Sequence, residues 1–189
     1  MRVRIDLKIF ILLFILYFTR QLKIYLIIMF FCILHEIGHI IAGVLLKMKP
    51  EKIEIMPLGF SISFYKNFED NKLKNIIVAS AGPVMSLILA ILCYCINLTN
   101  GKAVEAFYSN MIILLFNLIP LYPLDGGRIL KEILEIKMGT EKGSILIEKI
   151  SYIVMFIITI LSSITVYYYK NFMIFLICIF LWFLTVHNK

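Results

Sequence analysis

The chain has 189 residues, of which 61% are hydrophobic, and its 19 basic residues outnumber 12 acidic ones for a formal net charge of +7. Soluble domains are about 45–50% apolar, so this composition, with a mean hydropathy of +0.94, excludes a soluble globular protein and leaves an integral membrane protein. The basic residues fall in short loops between apolar runs, which is a topology signal rather than a polyanion-binding stripe, so the bilayer is the expected partner and nucleic acid is not.

Apolar runs predict an all-α polytopic membrane protein with about six transmembrane helices and a short membrane-associated β-hairpin after the second. The expected spans are Ile5–Phe18, Ile24–Leu46, Ile76–Ile96, Val104–Pro120, Ile147–Tyr169 and Phe172–Val186. The first resembles a signal peptide, but no small-x-small cleavage site follows it, so it reads as a retained span.

The second span contains His35-Glu36-Ile37-Gly38-His39, the pattern H-E-x-x-H. Helix positions i and i+4 share a face, so both histidines can reach one zinc ion, with Glu36 as general base for water activated there. A charged group at membrane depth costs roughly 2.5–3.5 kcal/mol on insertion scales, which favours function over a chance match. Gly38 reads as a small residue that lets helices pack closely. Cys32, Cys93, Cys95 and Cys178 all lie in apolar runs without a C-x-x-C pair and read as reduced packing residues. Cys32 lies one turn before His35 and has a minor alternative beside the metal.

Lys52–Met56 and Phe60–Phe64 alternate polar and apolar residues around Pro57-Leu58-Gly59, which predicts two short strands. This hairpin either offers an edge on which a substrate segment adds as a strand or is an amphipathic loop on the membrane surface.

The fourth span meets Pro120 and Pro123, then Gly126-Gly127. Each proline removes an N–H donor and disfavours helix in the residue before it, so the span should unwind before the membrane surface. Asp125 emerges from that break. A catalytic zinc takes three protein ligands and one open position, and His35, His39 and Asp125 make that set. The competing reading of Asp125 is an N-cap for a short amphipathic helix. Asn117 either holds a substrate backbone or oxyanion, or bonds a carbonyl freed by the broken helix.

With six crossings, all but four of the 19 basic residues fall on the side of both termini; the exceptions are Arg20, Lys23, Lys102 and Lys170. The positive-inside rule then places both termini in the cytoplasm.

The sequences Leu34–His39, Ser80-Ala81-Gly82-Pro83 and Asn117–Arg128 together resemble the site-2 protease family of intramembrane zinc metalloproteases, closest to its sporulation branch, the stage IV sporulation protease FB. The resemblance covers about half the chain. It implies His35, His39 and Asp125 as ligands of one zinc, Glu36 as catalytic acid/base, and a substrate-binding role for Asn117. It also implies a membrane-tethered protein substrate, a pro-sigma factor in the sporulation branch, held in the membrane around a forespore, with membrane inhibitor or scaffold proteins as further partners. The whole chain, 1–189, reads as a single membrane metalloprotease domain without a soluble CBS or PDZ segment. After Gly82-Pro83 the chain reads Val84-Met85-Ser86, where many members of the family place a polar amide. The rival readings are a polytopic metal-binding transporter, for which no inverted repeat is visible, and a non-catalytic membrane scaffold.

Overall fold

The computed structural model describes residues 2–5, 22–48, 50–56, 59–64, 71–100 and 103–169, together with 178–179, 181–182 and 185. They form β1 (Arg2–Ile5), α1 (Leu22–Leu45), β2 (Pro50–Met56), β3 (Gly59–Phe64), α2 (Lys72–Asn100), α3 (Val104–Asn117), α4 (Asp125–Met138) and α5 (Thr140–Tyr169). Two compact units divide the chain, residues 1–117 and 118–189.

In the first unit, α1, α2 and α3 pack together. Phe31 of α1, Cys93 of α2 and Ile113 of α3 form a buried cluster, joined by Ile27, Cys32, Leu89 and Phe107. Cys32 is thereby a packing residue. Lys23 and Glu105 pair at 2.9 Å where α1 and α3 begin, so these two helices run parallel. The opposite faces carry exposed Leu26, Phe30, Ile33, Ile37, Ile41 and Val44 on α1. The stripe recurs at helical spacing, while the face turned inward holds Phe31, His35, Gly38, His39 and Gly43. Apolar outside and polar inside inverts the order of a soluble helix and suits lipid.

Helices α1, α2 and α5 are each long and apolar enough to cross a bilayer, and α3 is a shorter apolar helix. The chain is a multi-pass membrane protein. Most of the expected first span, and part of the sixth, lie outside the described residues. Ile5, expected to open the first span, instead closes β1. The short stretch Arg2-Val3-Arg4-Ile5 alternates charged and apolar residues, which is a strand period rather than a helical one.

β2 and β3 are antiparallel, and β1 adds parallel to β2 in the order β1-β2-β3. The register sets Val3, Ile53 and Ile62 in one row and Ile5, Ile55 and Phe60 in another, with Arg4, Glu54 and Ser61 between them. β1 therefore takes one edge of the hairpin, and β3 runs alongside α1.

The fourth apolar run stops being helical at Asn117, ahead of Pro120, and residues 118–124 form a series of turns. In the second unit, Leu121 is wholly buried, and the Tyr122 backbone N–H donates to Ser151 Oγ at 3.1 Å. Such a bond satisfies a backbone donor that the broken helix leaves over. Gly126 and Gly127 then start α4 in helical conformation. A Cβ at Gly126 would strike the Leu118 carbonyl, and one at Gly127 would strike the Leu121 backbone. These glycines serve close approach, not unusual dihedrals. Gly139, at φ +87°, turns the chain from α4 into α5. The helix that holds the expected fifth span, Ile147–Tyr169, begins earlier, at Thr140, because the polar residues Thr140–Lys142 and Glu148-Lys149 are absorbed into one continuous helix. Trp182 donates to Thr159 Oγ1 at 3.1 Å, tying the described part of the sixth run to α5.

Candidate metal centre

The stretch Leu22–Gly43 contains no proline, and its long apolar residues are good helix formers in lipid. His35 and His39 therefore fall one above the other on the inner face of α1, 3% and 4% exposed. Their Nε2 atoms lie 3.3 Å apart. Two nitrogens on one tetrahedral zinc, each about 2.0–2.1 Å from it, would be about 3.3–3.4 Å apart. The pair already has the spacing of two ligands on a single ion.

Helix α2 fixes how those rings are presented. The His39 Nδ1–H donates to the Val78 carbonyl at 2.7 Å. A carbonyl only accepts, so the proton sits on Nδ1 and the Nε2 lone pair faces its neighbour. His35 Nδ1 lies 2.9 Å from the Ser86 hydroxyl, which is fully buried. Metal-ligating histidines almost always engage their second nitrogen in this way. Pro83 lies inside α2 and has no N–H for the carbonyl of Ala79; the helix nevertheless continues through it.

Between Val78 and Ser86, one turn from each, stands Gly82. A Cβ there would collide with His39 Nε2 and would come within 2.6 Å of His35 Nε2. At the next contact along the helices, a Cβ on Gly38 would lie 2.8 Å from the Ala81 carbonyl oxygen. Both helices thus need a glycine to come this close, which agrees with the packing reading of Gly38.

Glu36 is half-buried, one residue round α1 from His35. Asn117 ends α3, and its amide nitrogen donates to the Ile113 carbonyl at 3.0 Å. Ile113 lies four residues back in the same helix, so the amide folds against the backbone of α3 itself. The pairing of Lys23 with Glu105 and the packing of Phe31 with Ile113 share one register between parallel helices. Continued along both, it brings Asn117 level with His35. In the second unit, Asp125 is buried at 5% exposure and is the first residue of α4. The cap position belongs to Leu124, which makes no side-chain cap bond, so Asp125 is not the N-cap that its sequence context offered.

Sequence reasoning found both histidines and missed their supports. In the sequence alone, neither Gly82, within Ser80-Ala81-Gly82-Pro83, nor Ser86 carries a mark of contact with a histidine. Their signal is the spacing Val78, Gly82, Ser86, a single stripe on α2 at the four-residue step that also separates the histidines.

Residues 7–122 match the family described as Peptidase M50B-like, and residues 103–162 match Peptidase family M50. The chain belongs to the M50 peptidase family. The first matched stretch carries His35, Glu36, His39, Gly82 and Ser86, and the second carries Asp125 of this M50 member. The chain is 35% identical over 120 residues to a zinc metalloprotease of Methanocaldococcus jannaschii, covering 59% of this chain and 34% of that protein. It is 25% identical over 116 residues to stage IV sporulation protein FB of Bacillus subtilis, covering 59% and 40%. The chain thus spans well under half the length of these relatives. Its fold is similar to that of the site-2 protease from Methanocaldococcus jannaschii, with a TM-score of 0.78 and 23% identity over 98% of this chain and 89% of the other.

Proposed function

We propose that this M50 member is a zinc-dependent intramembrane metalloendopeptidase that cuts a peptide bond in or near a membrane-associated segment of a substrate protein. The observation that carries the reading is the histidine pair: two Nε2 atoms 3.3 Å apart, with His39 held by a carbonyl in the metal-binding tautomer. His35, His39 and Asp125 are all buried and are donors of the kinds zinc takes; they hold one zinc per chain. The ion, when bound, supplies an acidified water and polarises a carbonyl. Glu36 takes the proton from the attacking water and later gives it to the leaving amine. Asn117, level with His35, holds the substrate backbone. The chain acts as one domain across both compact units, with both termini in the cytoplasm.

A substrate helix has its carbonyls in intrahelical bonds and must unwind before attack. Since β1 takes one edge of the hairpin and β3 runs beside α1, the unwound segment adds to β3. Ile62→Pro, in the middle of β3, is expected to lower cleavage by roughly two- to tenfold, the worth of one hydrogen bond, at unchanged protein level. An unaffected rate at the same level would remove the strand-addition step.

The likeness to a sporulation protein supports a membrane-tethered pro-sigma factor as substrate, the forespore membrane as location, and membrane inhibitor or scaffold proteins as partners. The test is reconstitution in liposomes with a panel of membrane-tethered pro-proteins that includes a pro-sigma segment. A zinc chelator is expected to bring cleavage to background and added zinc to restore it. Cleavage that persists in protein shown to be free of metal would overturn the assignment.

A further inference from the structure

We propose that a water molecule is held inside the first unit, between α2 and α3, donating one hydrogen bond to Asn97 Oδ1 and one to Asn110 Oδ1. The place is separate from the metal centre. Asn110 precedes Asn117 by seven residues on α3, about 10 Å along the helix.

Asn110 is 0% exposed. Its amide nitrogen donates to the Ala106 carbonyl, one turn back, at 2.9 Å. A carbonyl only accepts, so this bond decides which end of the amide faces the backbone, and Oδ1 is turned away from it. That oxygen is buried and has no hydrogen-bond partner among the described residues; the same holds for Asn97 Oδ1. The neighbouring hydroxyl, Ser109 Oγ, is committed to the Glu105 carbonyl at 2.7 Å. Lipid offers no donor, and a buried acceptor left alone is costly. Two such oxygens on helices that pack against each other call for a donor between them.

The helices bring the two amides together. Cys93 of α2 shares a buried cluster with Ile113 of α3, and the ring of Tyr94 meets that of Phe107 at 5.7 Å between centroids. These contacts bracket Asn110 and set it level with Cys93 and Tyr94. Asn97 lies one turn further along α2, on the face of Cys93, about 5 Å from that level. The chain turns back between α2 and α3, and helical side chains lean toward the N-terminus of their own helix. The two amides therefore lean toward each other. Two O–H···O bonds of about 2.8 Å reach across up to about 5 Å, so one water spans what remains. A hard cation takes six or more oxygens, whereas this place offers two neutral ones. Asn97 is half-buried and lies one turn before the end of α2, which gives water its way in. The bridge joins two helices that lipid does not press together.

Two measurements test this on the full chain. The first is solid-state NMR of the wild type in liposomes. A cross-peak is expected between water and the side-chain amide protons of Asn110, assigned by its loss in Asn110→Leu and lost also in Asn97→Leu. The second is thermal unfolding in detergent of Asn97→Leu, Asn110→Leu and the double variant. Each single change removes one acceptor and strands the other, and is expected to lower Tm by about 2–12 °C. The double variant strands neither, and its Tm is expected to lie above that of the less stable single variant. Additive losses of Tm would overturn the proposal, since each oxygen would then act alone. Coupled losses with no water cross-peak in the wild type would also overturn it, because the two amides would then bond directly.

Discussion

Glu36→Gln is expected to lower the cleavage rate by roughly 100- to 10,000-fold, the usual contribution of a general acid/base, while zinc remains at the wild-type level. Glutamine has nearly the shape of glutamate but holds no lone pair basic enough to take a proton from water. Glu36 lies one residue from His35 on a helix, so its side chain points about a quarter-turn away from the direction shared by His35 and His39. The change leaves the Nδ1 bonds to Val78 and Ser86 in place, so the pair proposed to bind zinc is untouched. Initial cleavage rate and zinc content, measured on the same preparation, separate the outcomes. Retained zinc with lost cleavage assigns Glu36 to proton transfer. Lost zinc would make it a ligand or a support of one. Full cleavage would transfer the base role to another group. The variant also divides enzyme from rival: a metal transporter would lose little, and a scaffold nothing.

The histidine pair was legible because it is local. A four-residue step on a helix places two rings together whatever else the chain does. The break after Asn117 was legible for the same reason, since proline chemistry acts on the adjacent residues. The hairpin strands were marked by their period-two alternation, although β1 was absorbed into an apolar run. Arg2-Val3-Arg4-Ile5 is too short to stand out beside the long apolar stretch that follows, and its partner β2 is far along the chain. Val78, Gly82 and Ser86 were hidden for a different reason. Nothing in α2 alone says that a carbonyl, a missing side chain and a hydroxyl serve the histidines of α1. Their roles exist only once the two helices are in contact. Asp125 had two sequence readings, and the local one, a cap, fails because α4 takes in Asp125 itself and the cap falls to Leu124.

That contact makes Gly82→Ala the most diagnostic change outside the ligands. In an ordinary helix interior, glycine to alanine is stabilising by about 0.8–1.0 kcal/mol, and a site with room would show that gain. Here the added methyl would fall on His39 Nε2 and within 2.6 Å of His35 Nε2, the two atoms proposed to face the metal. Something has to move. The rings are the softer side, since they end side chains, whereas the closeness of the helices is set by backbone at Gly38 and Ala81. Swinging the rings away breaks the bonds to Val78 and Ser86 and spoils the 3.3 Å spacing, so metal is lost before the fold is. A displacement of about 1 Å is enough to cost on the order of 100-fold in a catalytic step. The expected result is a protein that inserts and expresses normally, shows helix content like wild type, and binds zinc at least about tenfold more weakly, the lower bound for losing one supporting partner. Cleavage should fall in parallel. Zinc titration of the purified variant, with circular dichroism on the same sample, decides it. Wild-type zinc affinity in Gly82→Ala would mean that α1 and α2 can separate without cost, and the close approach of Gly82 to the histidines would then have no part in building the centre.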